Sequence, residues 1–289
     1  MDKMDKDRSL ASEIRLWVAE NPGRRFTLNT VDSEVGVYDQ LDKNNRWHLI
    51  SRMVEEGLVE KYSGAYRVVV DGLTPLDWQS ADESQIMDLK LPFGLERYVN
   101  ILPKNAIIVA GSKDAGKTAY LLNFIRLNMH KNTIHYYSSE MGSLELKRRI
   151  RKFEENDLCA MGEWKFNAYE MAFDFQDAIA KHPDDIHVVD FLEVHEDFWK
   201  VGGLIFQMWN KLRGGVVMIA LQKNPGADAG VGAGRSLEKA RLYLTMDVNK
   251  LTIKSGKNWA QESVNPRNKS WSFQLVGGCK FLNIHEDFA

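Results

Sequence analysis

Apolar positions fall into two regimes along the chain. In the first, Leu10, Ile14, Trp17 and Val18 share one helical face over 10–19, and Asn21-Pro22-Gly23 ends that helix. A second short helix is expected over 31–37. A third is expected over 44–56, with Trp47, Leu49, Ile50 and Met53 on its buried side and Gly57 as its cap. Segments 58–61 and 65–70 flank Tyr62-Ser63-Gly64 and read as a hairpin. These elements make a small α+β domain over 1–72. Residues 73–92 contain Pro75, several acids and little periodicity, and are expected to be a linker. The second regime alternates short apolar runs with helical spacing. Strands are expected over 106–110, 133–138, 186–190 and 216–221, with helices over 118–130, 143–155, 170–182 and 201–213. That alternation predicts an α/β domain over 93–289 built on a mainly parallel central sheet. Its last forty residues turn strand-rich, over 250–254, 270–276 and 279–284.

Composition changes this picture little. The chain has 289 residues, 44% hydrophobic and 27% charged, as expected of a globular protein that needs no membrane. A formal net charge of -2 argues against a generally basic surface and leaves room for a local basic patch. Cys159 and Cys279 lie far apart and fit no metal spacing, so reduced thiols in a cytoplasmic protein are expected. No apolar run reaches the ~18 residues of a membrane span, and the charged start lacks a signal-peptide core.

The chemistry concentrates at strand ends. Gly111-Ser112-Lys113-Asp114-Ala115-Gly116-Lys117-Thr118 fits the phosphate-binding pattern G-x-x-x-x-G-K-[ST], between a predicted strand and a predicted helix. There the backbone amides of Gly111 to Gly116 wrap the β- and γ-phosphates of ATP. Lys117 sets its ammonium against phosphate oxygens, and Thr118 ligates Mg²⁺ through its hydroxyl. Glu140 follows the next strand and suits a base that activates water, or equally a solvated loop acid. Asp190 ends the apolar run Ile186-His187-Val188-Val189 and suits a Mg²⁺ ligand. Asp184 and Asp185 precede that strand, at the wrong edge, and read as cap or loop residues. Gln222 follows the strand after it, where an amide can report a γ-phosphate or simply occupy a turn.

In that order these elements resemble the RecA-like ATPase core, and within it the DnaB-type helicases and RadA/KaiC-like proteins. The resemblance covers about 93–289. It rests on LERYVNILPKNAIIVAGSKDAGKT, on YYSSEMGSLELKRRI with Leu146 and Arg149 at matching spacing, on VVDFLEV and on MIALQKN. It implies Glu140 as catalytic base, Asp190 as magnesium ligand and Gln222 as sensor. DnaB-like proteins also carry a basic Lys-x-Arg finger that reaches the neighbouring subunit's nucleotide. Here 251–257 offers Lys254 and Lys257 and no arginine, and Lys257-Asn258 is similar to the lysine-asparagine motif of RadA-like proteins. The front end departs from a replicative helicase: ISRMVEEGLVEKYSGAYRV resembles the third helix and wing of a winged helix-turn-helix domain.

Candidate DNA contacts follow. Lys43, Arg46 and Arg52 lie on the third helix, Arg67 on the wing, and Lys223 and Arg235 bracket a glycine-rich 223–235 loop. Against them, Asp39, Asp42, Glu55, Glu56 and Glu60 flank the same helix and wing. The expectation is an ATP-hydrolysing, DNA-associated motor or remodelling ATPase. It acts as a ring or filament in which Lys254 or Lys257 completes a neighbour's site. The alternative is a nucleotide-gated winged-helix DNA-binding regulator, or a helicase loader or adaptor whose winged helix docks a protein partner.

Overall fold

Short polar side chains set the helix ends in the first part of the chain. Thr27 and Thr30 form a reciprocal capping box at the start of α2 (Leu28–Val35), and Gly36 closes that helix in the left-handed region, at φ 81°. Asp39 caps α3 (Gln40–Glu55) by accepting from the Asp42 amide at 2.8 Å. They follow α1 (Lys3–Glu20) and the two-residue strand β1 (Arg25–Phe26). The hairpin is β2 (Val59–Tyr62) and β3 (Ala65–Val68), turned by Ser63 and Gly64, both at positive φ. The three strands lie antiparallel in the order β1-β3-β2. Ile14, Trp17, Val18, Phe26, Val31, Ile50, Met53, Val59 and Val68 are the buried core of this part.

The computed structural model describes residues 3–70, 76–160, 162–193 and 200–287. The chain divides into two compact units, Met1–Ala81 and Asp82–Ala289. The buried stripe of α3 is Arg46, Ile50 and Met53, at i, i+4 and i+7. This corrects two expectations. Trp47 is 48% exposed, not core. Arg46 is 5% exposed and cannot reach DNA, because its Nε and NH2 donate to the two carboxylate oxygens of buried Asp32 at 2.8 and 2.7 Å. Of the segment expected as a linker, 73–75 lies outside the described residues. Leu89 and Leu91 are buried in the second unit's core, and the Asn128 side chain holds the Lys90 backbone.

In the second unit a 3₁₀ segment, Pro92–Arg97, leads to β4 (Ala106–Gly111), α4 (Lys117–Asn128), β5 (Ile134–Ser138) and α5 (Ser143–Glu155). Next come β6 (Asn167–Glu170), α6 (Phe175–Lys181), β7 (Ile186–Asp190), α7 (Val201–Lys211) and β8 (Val216–Gln222). The chain closes with α8 (Gly234–Leu237), β9 (Ala240–Asp247), β10 (Lys250–Gly256), β11 (Ser270–Val276) and β12 (Lys280–Asp287). All nine strands form one sheet in the order β12-β11-β10-β9-β4-β8-β7-β5-β6. It is parallel from β9 to β6 and antiparallel from β9 to β12.

Alternation along β4 explains its uniformly apolar sequence. Ile107 and Val109 face a core shared with Tyr120, Phe124 and Phe153. Ala106, Ile108 and Ala110 face another, shared with Ile179, Ile205 and Met208. A parallel strand covered on both faces reads as one continuous apolar run. Two expectations change here. The helix expected over 170–182 is the shorter α6, and β6 just before it was not foreseen; β6 is exposed along its length, so it lacks the apolar signal of a buried strand. β9, beside β4, was not foreseen.

Candidate nucleotide-binding site

Parallel strands point their carboxyl ends the same way, so residues that follow them meet at one edge. Register makes this specific: Gly111 pairs with Gln222 across β4–β8, and Ser138 with Asp190 across β5–β7. The 111–118 loop leaves β4 at that edge and runs into α4. Both of its glycines are sterically required. A Cβ on Gly111 would lie 2.6 Å from Lys117 Cγ; on Gly116, at φ 94°, it would lie 2.9 Å from Leu275 Cδ2.

A cavity of about 360 Å³ opens at this edge, lined by Lys117, Thr118, Glu140, Arg149, Asp190 and Gln222 among others. Lys117 Nζ donates to the carbonyls of Gly111 and Ser112, each at 3.0 Å, and to Gln222 Oε1 at 3.3 Å. Asp190 is 4% exposed; Tyr136 donates to its Oδ2 at 2.6 Å and Thr118 to its Oδ1 at 3.3 Å. The loop after β5 is tied to the end of β7: the Ser139 amide donates to the Asp190 carbonyl at 3.1 Å, and the Ser139 hydroxyl to the Phe191 carbonyl. That tether sets Glu140 in the wall of the same cavity as Asp190.

Three charges in this cavity are held away from their ordinary states. Burial raises the Asp190 carboxyl, against hydrogen bonds from Tyr136 and Thr118 and the charges of Lys117 and Arg149. Desolvation raises Glu140 too, and the charges of Asp190 and Glu193 add to it. Desolvation lowers Lys117, which Asp190, Glu140 and Asp114 oppose. The Thr118 hydroxyl and the Asp190 carboxylate are hard oxygen donors next to each other, a set that fits Mg²⁺.

Other expected residues lie elsewhere. Lys254 pairs with Asp228. The Lys257 amide bonds Arg241, at the sheet edge opposite the 111–118 loop. Neither lines the cavity. The expectation for Lys223 is corrected: it is 1% exposed, and its Nζ donates to both Asp247 carboxylate oxygens at 2.8 and 2.9 Å and to the Ala227 carbonyl at 3.0 Å, so it is not offered to a phosphate backbone. The 223–235 loop it begins is tied down further on, where the Val231 amide donates to the Gln222 carbonyl and Gly230 is buried. Arg235 and Arg52 are exposed, Lys43 is half-buried, and Arg67 pairs with Glu60 at 2.5 Å. The cavity also includes residues not foreseen there. Arg149 reaches it from α5, and Leu275 and Gly278 from the β11–β12 hairpin. For Arg149 the spacing within the 136–150 stretch was the available signal; for the hairpin there was none.

No family model matches the chain, and no curated protein matches it. Among solved structures, it is similar to a KaiC-like protein from the hyperthermophilic archaeon Pyrococcus horikoshii. The TM-score is 0.50 at 15% identity, over 69% of this chain and 98% of that one. The RadB recombinase gives a TM-score of 0.48 at 14% identity, over 64% and 92% of the respective chains. The second unit therefore has the RecA-like P-loop fold, a mixed α/β core on a mostly parallel sheet.

Proposed function

We propose that this chain hydrolyses ATP with its RecA-like core. The observation that carries the proposal is the convergence of Lys117, Thr118, Glu140, Asp190 and Gln222 on one cavity at the carboxyl edge of the sheet. The amides of 111–116 and the Lys117 ammonium bind the β- and γ-phosphates. Thr118 and Asp190 hold Mg²⁺, which neutralises charge on the phosphate oxygens when bound. Glu140 takes the proton from the attacking water; its raised pKa strengthens it as a base. Gln222, already bonded to Lys117, senses the γ-phosphate. Assembly into a ring or filament lets Lys254 or Lys257 of a neighbour reach the phosphates, Lys254 by exchanging its partner Asp228 for them.

For the first unit, the order of helices and strands supports the winged-helix reading. A specific observation favours protein docking over DNA binding. Arg46 and Arg67 are paired within the unit, while Tyr38, Leu41 and Trp47 around α3 are 80%, 50% and 48% exposed. The adaptor or loader alternative accounts for that apolar surface; the DNA-associated motor accounts for Lys43, Arg52 and Arg235.

One experiment separates the two. ATP turnover is measured with and without single- and double-stranded DNA, with the mass determined on the same sample. An oligomer stimulated by DNA, with stimulation reduced by Arg235→Ala, supports the motor. Turnover indifferent to DNA supports the adaptor. Absence of turnover under all conditions overturns the ATPase proposal itself.

A further inference from the structure

The strands that carry Asp190 and lead to Glu140 also bear chemistry at their other ends. Near the start of β5, His135 is buried beside its register partner His187 on β7. His135 Nε2 lies 2.9 Å from Asp185 Oδ2, and the His182 ring stacks on His135 at 4.4 Å between centroids. His182 Nδ1 lies 3.7 Å from the same Asp185 oxygen. One donor atom from each of His135, His182 and Asp185 fits within a span of 4.8 Å. We propose that these three residues bind one Zn²⁺ ion, clipping the start of β5 to the turn that precedes β7.

The donor set is two imidazole nitrogens and one carboxylate oxygen, which suits Zn²⁺ and leaves a fourth position for water. His182 and Asp185 open that position to solvent, their side chains being 48% and 29% exposed. A tetrahedral ion with bonds of about 2.1 Å needs ligand atoms about 3.4 Å apart. The exposed His182 ring is the member free to swing in.

The surroundings already orient these ligands. Tyr169 OH lies 3.4 Å from His135 Nδ1, so once Nε2 binds metal the Nδ1–H can donate to the phenol oxygen. The turn is fixed independently of any ion. The Asp185 amide donates to the His182 carbonyl at 3.1 Å, and His187 Nε2 donates to that carbonyl at 2.8 Å. Asp184, between the ligands, pairs with Arg213 and accepts from the Gly214 amide. His187 is not a ligand; Tyr137 donates to its Nδ1 at 3.1 Å.

The test titrates the full chain, stripped with EDTA and held in excess Mg²⁺, with Zn²⁺ against a chromophoric chelator, and follows melting in parallel. The expected result is one saturable equivalent of Zn²⁺ that raises the melting temperature. His182→Ala and Asp185→Asn should lose both effects, and Tyr169→Phe should weaken binding roughly tenfold, as loss of an orienting partner does. Cys159→Ser/Cys279→Ser and Asp190→Asn should leave binding intact, which excludes the thiols and the nucleotide cavity as the site. Because melting of the metal-free variants is recorded, a variant that fails to fold is recognised, and the other position then decides. Wild-type protein without saturable Zn²⁺ binding, or folded His182→Ala and Asp185→Asn proteins that bind as tightly as wild type, would overturn the proposal.

Discussion

The first unit and the cavity of the second treat their charges in opposite ways. In the first unit, arginines are matched with carboxylates: Arg15 with Glu56, Arg24 with Glu34, Arg46 with Asp32 and Arg67 with Glu60. Hydrogen bonds from Arg24 and Arg15 hold the Glu34 and Glu56 carboxyls below their ordinary range. In the cavity, desolvation pushes Glu140 and Asp190 up and Lys117 down, so these three charges are costly as they stand. Paired charges hold a fold; mismatched ones are poised for a ligand that brings opposite charges of its own, and ATP·Mg²⁺ brings both signs. The largest expected effects test this side of the contrast. Lys117→Ala should abolish ATP turnover. Glu140→Gln should keep ATP binding and slow hydrolysis by about 10²–10⁴-fold, the usual loss for a general base. Steady-state kinetics with a separate nucleotide-binding titration checks both, and an unchanged rate in Glu140→Gln would remove that residue's role.

The next effect is on stability. Arg46→Ala strands the Asp32 carboxylate in the core of the first unit. Removing one partner of a buried pair costs about 3–5 kcal/mol, so denaturant unfolding of this unit should shift strongly. Replacing both residues, as Asp32→Ala with Arg46→Met, should recover most of the loss. If Arg46→Ala instead leaves unfolding unchanged while weakening DNA binding, the pair is not structural and the contrast between the two units fails.

What was legible in the sequence has a physical pattern. Lys117 and Thr118 could be placed by the loop pattern that follows β4, and Glu140, Asp190 and Gln222 because each closes or closely follows an apolar strand, and parallel strands deliver such residues to one edge whatever the details of packing. Arg46 and Trp47 were misread because shifting a helical stripe by one residue exchanges a buried position for an exposed one, and a tryptophan is the more natural core residue of the two. β6 was missed because an exposed edge strand carries no buried alternation. Leu275 enters the cavity from a hairpin far along the chain, a proximity that only tertiary packing creates.

Lys223 belongs to the same lesson and gives a smaller effect. A lysine beginning a glycine-rich loop reads as a phosphate contact, yet its burial depends on Asp247, 24 residues further on. Lys223→Ala should cost less than Arg46→Ala, about 1–3 kcal/mol for the lost charged hydrogen bonds. The partner left behind explains the difference: Asp247 is 39% exposed and regains water, whereas Asp32, at 11%, does not. Denaturant unfolding of the two variants side by side ranks them. An equal loss would mean that exposure of the surviving partner does not set the penalty.

The smallest effect concerns a pair that closes the second unit. Glu286 on β12 accepts from Lys269 Nζ at 2.8 Å and from Tyr98 OH at 2.5 Å, binding the last strand to the segment before β4. Those hydrogen bonds, Lys269 first, hold its carboxyl below the ordinary 4.5. A carboxyl depressed in the folded state binds its proton more weakly there than in the unfolded chain. Its contribution is therefore fully present above about 4.5 and is lost as the pH falls through the folded value. Glu286→Gln should remove that contribution. The variant should be less stable than wild type at neutral pH, and the two should converge below about pH 4.5. A gap that stays constant from neutral to acid would show that Glu286 acts through packing rather than charge. The paired state would then stabilise nothing, and the contrast drawn from the arginine pairs of the first unit would not extend to the second.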